Sequence, residues 1–227
     1  MTATLRLMSS MAPREALAAA IACYRSIRPV LIEAVALGGV EVARRVAAGE
    51  PVDMVVLSDD AIGALIDDGQ LLAASRVDLM TSKIAVAVPT GAARADLATA
   101  AAVKAAVVAA PTLSYSTGPS GRYLEQLFAR WGILEAVRSR IIVPPPGVPV
   151  ARLVASGEAK LGFQQLSELL DAPGIEVLGP LPEEIQHATR FTAALTPRCA
   201  DREAARDFLS FVASSRCDAL KARHGMG

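Results

Sequence analysis

Four short stretches are poor in bulk and rich in hydrogen-bond donors: Ser9-Ser10, Gly38-Gly39, Ser116-Thr117-Gly118-Pro119-Ser120-Gly121, and Pro146-Gly147-Val148. Each stands where an apolar run ends and a helical pattern begins. Backbone amides and hydroxyls at such points are ready anion donors, because the first turn of a helix leaves its N–H groups without internal partners. Several such termini facing one gap would hold an anion without a lysine. Taken singly, Ser9 or Ser10 also reads as a plain helix cap, and Gly38-Gly39 as an ordinary turn. The run from Thr117 to Gly121 is the most specific, since a connecting loop seldom sets so many small residues before a helix. It is not a P-loop, because the G-x-x-x-x-G-K-[ST] spacing and its lysine are absent. Arg14 and Arg122 follow two of these loops, and either could clamp a carboxylate with its planar fork or serve as a surface arginine. Glu15 and His187 are the nearest acid/base candidates. There is no G-x-S-x-G elbow, HExxH or GxGxxG, so the catalytic residues are left unassigned.

The elements that would position these loops alternate. Apolar strands are expected over 4–8, 30–35, 53–57, 83–88, 112–116, 141–143, 161–164, 175–178 and 191–195. Helices are expected over 14–25, 40–48, 59–67, 98–109, 123–131, 150–155 and 202–212, with a last one ending near Arg223. Near-continuous apolar strands separated by helices predict parallel sheet covered on both faces. In such sheets ligands bind beyond the carboxyl ends of the strands, where these four loops stand. No Gly/Pro/Ser-rich linker divides the chain, so two sheets would need one lobe built from both chain ends and a second inserted in the middle.

Composition excludes several classes. The 227 residues carry 23 Lys plus Arg against 23 Asp plus Glu, a formal net charge of zero. A nucleic-acid partner would call for a basic excess or stripe, and neither is present; Arg44-Arg45 reads as a solvated helix face. Cys23, Cys199 and Cys217 have no CxxC or Cys/His spacing and read as small buried free thiols. His187 and His224 cannot build a histidine-rich metal site, and His224 is expected in an exposed tail. Neither a metal nor a cofactor is expected. No stretch reaches about 18 apolar residues, so no membrane insertion is expected. The first ten residues lack the apolar run of a secretory signal, which predicts a cytoplasmic chain as it stands, or a periplasmic one if an export signal is missing.

Three blocks are familiar together: Leu7-Met8-Ser9-Ser10-Met11-Ala12, the stretch from Val46 to Ser58, and Tyr115 to Gly121. With Val154-Ala155-Ser156-Gly157-Glu158-Ala159-Lys160-Leu161-Gly162-Phe163-Gln164-Gln165, they resemble the type 2 periplasmic-binding-protein superfamily, in its molybdate-binding-protein-like branch. The resemblance covers nearly the whole chain. It implies a two-lobed α/β fold, each lobe a mostly parallel sheet flanked by helices, with two crossover strands. The lobes would be 1–82 with 188–227, and 83–187, with a ligand cleft between them. It places ligand contacts near Ser9 or Ser10, Gly38 or Gly39, Ser120, Gly147 and Gln165; together with the loops read above, the candidate ligand-binding residues are Ser9, Ser10, Gly38, Gly39, Ser116, Thr117, Ser120, Gly121, Arg122, Gly147, Val148 and Gln165. In that branch serines, backbone amides and one tyrosine hold an oxyanion. Here the second-loop serine is replaced by glycine and the tyrosine by Gln165, which adds room and an acceptor. A small anion, in particular an organic carboxylate, is the expected ligand. The resemblance implies a substrate-binding protein of an ABC transporter, with a permease as partner and a monomeric or weakly dimeric chain. The alternative is an isomerase that shifts a double bond in a small unsaturated carboxylic acid, as some relatives of this branch do with aconitate. A third reading, a cytoplasmic sensor lobe, lacks an attached helix-turn-helix segment.

Overall fold

The computed structural model describes residues 4–145 and 147–227; Pro146, part of the fourth loop, and the first three residues lie outside it. In chain order the elements are β1 (Thr4–Ser10), α1 (Arg14–Arg25), β2 (Leu31–Leu37), α2 (Gly39–Ala47), β3 (Met54–Ser58), α3 (Asp59–Asp67), β4 (Val77–Pro89), α4 (Ala100–Ala109), β5 (Leu113–Tyr115), α5 (Pro119–Arg130), α6 (Leu134–Val137), β6 (Ile141–Ile142), α7 (Val150–Ala155), β7 (Leu161–Gln165), α8 (Leu166–Leu169), β8 (Ile175–Pro180), β9 (Ala188–Leu195), α9 (Arg202–Ala213) and α10 (Asp218–Arg223). The chain divides into two compact units, Met1–Ser82 with Arg190–Gly227, and Lys83–Thr189. The polypeptide passes from one to the other within β4 and returns within β9.

In the first unit β1 runs parallel to both β2 and β3, and β3 pairs antiparallel with β9. Strand side chains alternate between faces, and the core shows the alternation. Leu5, Leu7, Met54, Val56, Ala193 and Leu195 pack toward Leu17 of α1 and Phe208 of α9. Met8, Val55, Leu57 and Ala194 pack the other way, toward Val42 and Val46 of α2 and Ile62 and Leu65 of α3. Both faces of β3 are therefore buried, which is why it reads as an unbroken apolar run.

In the second unit β5 is parallel to β6 and β7, while β4 pairs antiparallel with β7 and β8. Ile84, Val86 and Val88 face a core with Leu124, Leu127 and Phe128 of α5. Ala85 and Ala87 face Ala151 and Leu169 on the opposite side. At Gly162 of β7 an added Cβ would collide with Val154 and press on Val150, so the glycine lets α7 lie directly on the strand.

Several expectations need correction. The helix expected from Tyr123 starts at Pro119, with Gly118 as its N-cap. A proline at the first helical position has its φ already set and its missing N–H costs nothing there, so Ser120, Gly121 and Arg122 sit in the first helical turn rather than in a loop. Gly39 likewise begins α2. β4 begins at Val77, six residues before the expected Lys83, and the short α8 was not expected. Cys199 and Cys217 are buried, but Cys23 is exposed, on the outer side of α1. His224 is half-buried, with Nδ1 enclosed and unpartnered.

Candidate functional site

The donor-rich loops stand at the carboxyl ends of the parallel strands in each unit, and each edge is built differently. In the first unit, parallel register places Ser9 beside Ala36 and Ser10 beside Leu37, so the end of β1 lies against the strand leading into Gly38. Gly38 is exposed, and a Cβ there would meet nothing within 4 Å. A Cβ on Gly39 would lie 3.7 Å from Ser10 Cβ, so the first two loops are neighbours. Ser9 is buried, and the enclosed Ser10 hydroxyl has no hydrogen-bond partner. Pro13 precedes α1 without a side-chain cap, so neither serine caps that helix.

Past the end of β3 lies a cluster that the sequence did not single out. The Thr192 hydroxyl is 2.9 Å from Asp59 and 3.1 Å from Asp78, one proton between two carboxylates. Arg76 pairs with Asp59 at 2.5 Å and Arg190 with Asp78 at 3.3 Å. The Thr192 hydrogen bond, then Arg76, hold the Asp59 carboxyl below its ordinary range against the opposing effect of burial. These residues come from the start of α3, from β4 and its approach, and from β9, which linear spacing does not join.

The second unit's edge is tighter. Ser116 follows β5, and its Oγ lies 3.4 Å from Ser120 Oγ and accepts from the Gly118 amide at 3.3 Å. Ser120 is 1% exposed. A Cβ on Gly121 would fall on the Ser116 carbonyl oxygen, so only glycine lets the chain turn this sharply into α5. Two hydroxyls and the first-turn amides of a twelve-residue helix thus share one corner, a donor set suited to an anion. Thr117 and Arg122 are exposed on its outer side.

β7 is parallel to β5, with Tyr115 beside Phe163, so Gln164 and Gln165 extend past the same edge. Gln164, not anticipated, accepts from the Val150 amide at 3.1 Å and donates to Glu168 at 2.8 Å, tying the start of α7 to β7. Gln165 is 3% exposed and donates through Nε2 to Thr189 Oγ1 at 2.7 Å. Its Oε1 is buried without a partner. The fourth loop ends in exposed Gly147, held at φ +82, and half-buried Val148. The left-handed φ requires glycine there.

Other candidates stand apart. Arg14 pairs with its neighbour Glu15 at 2.6 Å, both about half exposed, which leaves Glu15 as a surface acid. Exposed His187 stacks on Tyr123 at 4.7 Å, and Tyr123 donates to the Ile185 carbonyl at 2.8 Å. Arg44 and Arg45 both hydrogen-bond Glu41, and those bonds pull its carboxyl down to about 2, as a solvated helix face would have it. Among the described residues no cluster of three His, Cys, Asp or Glu could hold a metal ion, and no helix is long and apolar enough to cross a membrane.

A family model for bacterial extracellular solute-binding proteins matches residues 5–227. The chain belongs to that family. An aconitate isomerase from a Pseudomonas species is 39% identical over 189 residues, covering 82% of this chain and 70% of the relative. The periplasmic molybdate-binding protein of Azotobacter vinelandii superposes with a TM-score of 0.81 at 18% identity, over 98% of each chain. The sulfate-binding protein SubI of Mycobacterium tuberculosis gives 0.81 at 15% identity, over 100% of this chain and 86% of that one. At such identities the structural likeness concerns the fold, which is the two-lobed α/β fold of the type 2 periplasmic binding proteins.

Proposed function

We propose that this solute-binding protein holds a small organic carboxylate at its strand-end loops. The contacting residues would be Ser9, Ser10, Gly38 and Gly39 of the first unit and Ser116, Ser120, Gly121 and Gln165 of the second. The observation that carries the reading is the pair of unpartnered polar atoms on these edges, Ser10 Oγ and Gln165 Oε1. A buried polar atom without a partner costs about 1–3 kcal/mol, and a ligand supplying the partner recovers it. Whichever way its amide is turned, Gln165 has one end taken by Thr189 and the other unspent. With Oε1 free it asks for a donor, which a hydroxyl or carboxylic acid has and a bare oxyanion lacks. The hydroxyls and first-turn amides near Ser120 would take the carboxylate oxygens.

The test is a thermal-shift series with citrate, cis- and trans-aconitate, molybdate and sulfate. A ligand at about 100 times its Kd adds roughly 2.7 kcal/mol, an upward shift of roughly 5–10 °C for a chain of this size. A shift with tricarboxylates and none with molybdate is expected. Tight molybdate binding by calorimetry with no carboxylate response would overturn the reading.

A second reading, that the bound acid is isomerised, is favoured by the relative that bears the name aconitate isomerase. The reaction moves one proton. A base takes it from an sp3 carbon beside the double bond, the electron pair shifts into a carboxylate-stabilised anion, and a proton is returned at the far alkene carbon. The strand-end amides and serine hydroxyls could stabilise that charge. Asp59, with its carboxyl held low, is a poor base for this step. Proton NMR of trans-aconitate with the protein decides it: growth of cis signals supports isomerisation, and an unchanged spectrum with saturating binding leaves a binding protein. In the first case the partner is the acid alone; in the second, a transporter permease, and cell fractionation should find the chain in the periplasm.

A further inference from the structure

We infer that Gln186 is a positioning residue for the ligand contact Gln165, holding in place both of that side chain's neighbours, Ile84 and Thr189. Gln165 is taken as a contact on the carboxylate reading; what aims its side chain is a separate matter. Gln165 ends β7 and is buried, yet among the described residues its amide is fastened at one point, Nε2 donating to Thr189 Oγ1 at 2.7 Å. Its Oε1 keeps no partner. A long side chain with one anchor points where that anchor and its packing neighbours leave it.

The packing neighbour is Ile84, the partner of Gln165 in the antiparallel register of β4 and β7. The Ile84 amide donates to Gln186 Oε1 at 2.9 Å, and its carbonyl accepts from Gln186 Nε2 at 3.1 Å and from the Leu181 amide at 3.0 Å. Both backbone groups of Ile84 therefore turn away from β7, and a strand pair of that kind brings its two side chains closest. The same glutamine fixes the other neighbour. Its Oε1 also accepts from the His187 amide at 3.0 Å, and its Nε2 donates to the Leu181 carbonyl at 3.0 Å. Gln186 has an extended backbone and β9 begins at Ala188, so the clamp sets where Thr189 arrives. Tyr123 of α5 pins this stretch from outside, donating to the Ile185 carbonyl and stacking on His187. Both ends of the Gln186 amide are used, so neither an apolar side chain nor a carboxylate of the same length replaces it.

The test reads Gln165 directly, by nuclear magnetic resonance of the isotope-labelled full chain without ligand. The Gln165 side-chain NH2 resonances are identified by their loss in Gln165→Leu. In Gln186→Leu they should shift, and their exchange with water should quicken about tenfold as the Thr189 bond loosens, while the backbone amides of Ser116 and Ser120 keep their positions. Gln186→Glu, which keeps the acceptor, should give the same response to a smaller degree and serves if the leucine variant does not fold. Titration calorimetry with trans-aconitate should show affinity about fivefold lower in Gln186→Leu, and a further change below about twofold when the substitution is made in Gln165→Leu. Unmoved Gln165 resonances, or losses that add in the double variant, would overturn the inference. A wild-type chain that binds no carboxylate while its Gln165 resonances still answer to Gln186 would uphold the positioning and remove the carboxylate reading instead.

Discussion

The carboxyl edges of the two units solve one problem in opposite ways. In the second unit the turn into α5 is closed: Gly121 lies against the Ser116 carbonyl, Ser120 is buried beside Ser116, and Gln164 ties α7 to β7. In the first unit the turn into α2 is open: Gly38 has nothing around its Cβ position and the Ser10 hydroxyl is unspent. The closed edge presents donors held in fixed places, and the open edge leaves empty space around Gly38. Preorganisation places its cost in folding rather than in binding, so mutations on the two edges should act on different quantities.

The sharpest way to break that contrast is Gly121→Ala. The new methyl group meets a backbone oxygen that cannot swing aside, and such overpacking costs about 3 kcal/mol or somewhat less. Urea unfolding should show that loss, and calorimetry should show carboxylate binding abolished. A stable, binding-competent variant would mean that the edge is not rigid.

Each unit also buries a tyrosine whose hydroxyl donates to a carboxylate: Tyr24 to Asp207 at 2.7 Å and Tyr115 to Glu125 at 3.1 Å. Burial first, then the carboxylate, pushes Tyr24 up to about 12, and burial with Glu125 pushes Tyr115 upward as well. A group whose proton is held more tightly in the folded state stabilises fully below its unfolded pKa and loses that stability as pH rises through the folded value. Stability should therefore decline from pH 10 toward about 12. Tyr24→Phe should flatten that decline in the first unit, followed by ultraviolet titration of phenolate alongside circular dichroism.

A smaller effect is expected from Gln165→Leu. It removes the unpartnered amide end together with the Thr189 bond, so the ligand-free protein should change by no more than about 1 kcal/mol. Affinity for the carboxylate should fall about tenfold, equivalent to about 1.4 kcal/mol, measured by titration calorimetry. Unchanged affinity would remove Gln165 from the contacting residues. Smallest of all is Gly38→Ala. The backbone there is extended at φ −60 and the space is empty, so stability should stay within about 0.5 kcal/mol. A larger affinity loss would show the ligand itself reaching Gly38.

The strand-helix alternation was legible because β3 and the second half of β4 are buried on both faces and read as apolar runs. The donor-rich loops were legible because serine, glycine and proline punctuate helix starts. Less legible were the boundaries. The first half of β4 mixes Asp78 and Thr81 with Leu79 and Met80, since only part of it is covered. Tyr123 marks an amphipathic face but not the start of α5, which depends on a proline that the pattern reads as a breaker. Cys23 was misjudged because residue type says little about which side of an alanine-rich helix faces water.

By itself the sequence determined the α/β fold class and the donor-rich stations between strands and helices, while its motif blocks carried the resemblance to the superfamily. The first two follow from short-range physics, namely hydrophobic period and the backbone demands of glycine and proline. Only the tertiary structure decided which polar atoms at those stations are already satisfied. Gln164 is spent on the start of α7 while its neighbour Gln165 keeps one free atom. Thr192 is joined to Asp59 and Asp78 across more than a hundred residues. Hydrogen bonding is settled by angstrom-scale neighbours, and most of those neighbours are distant in sequence.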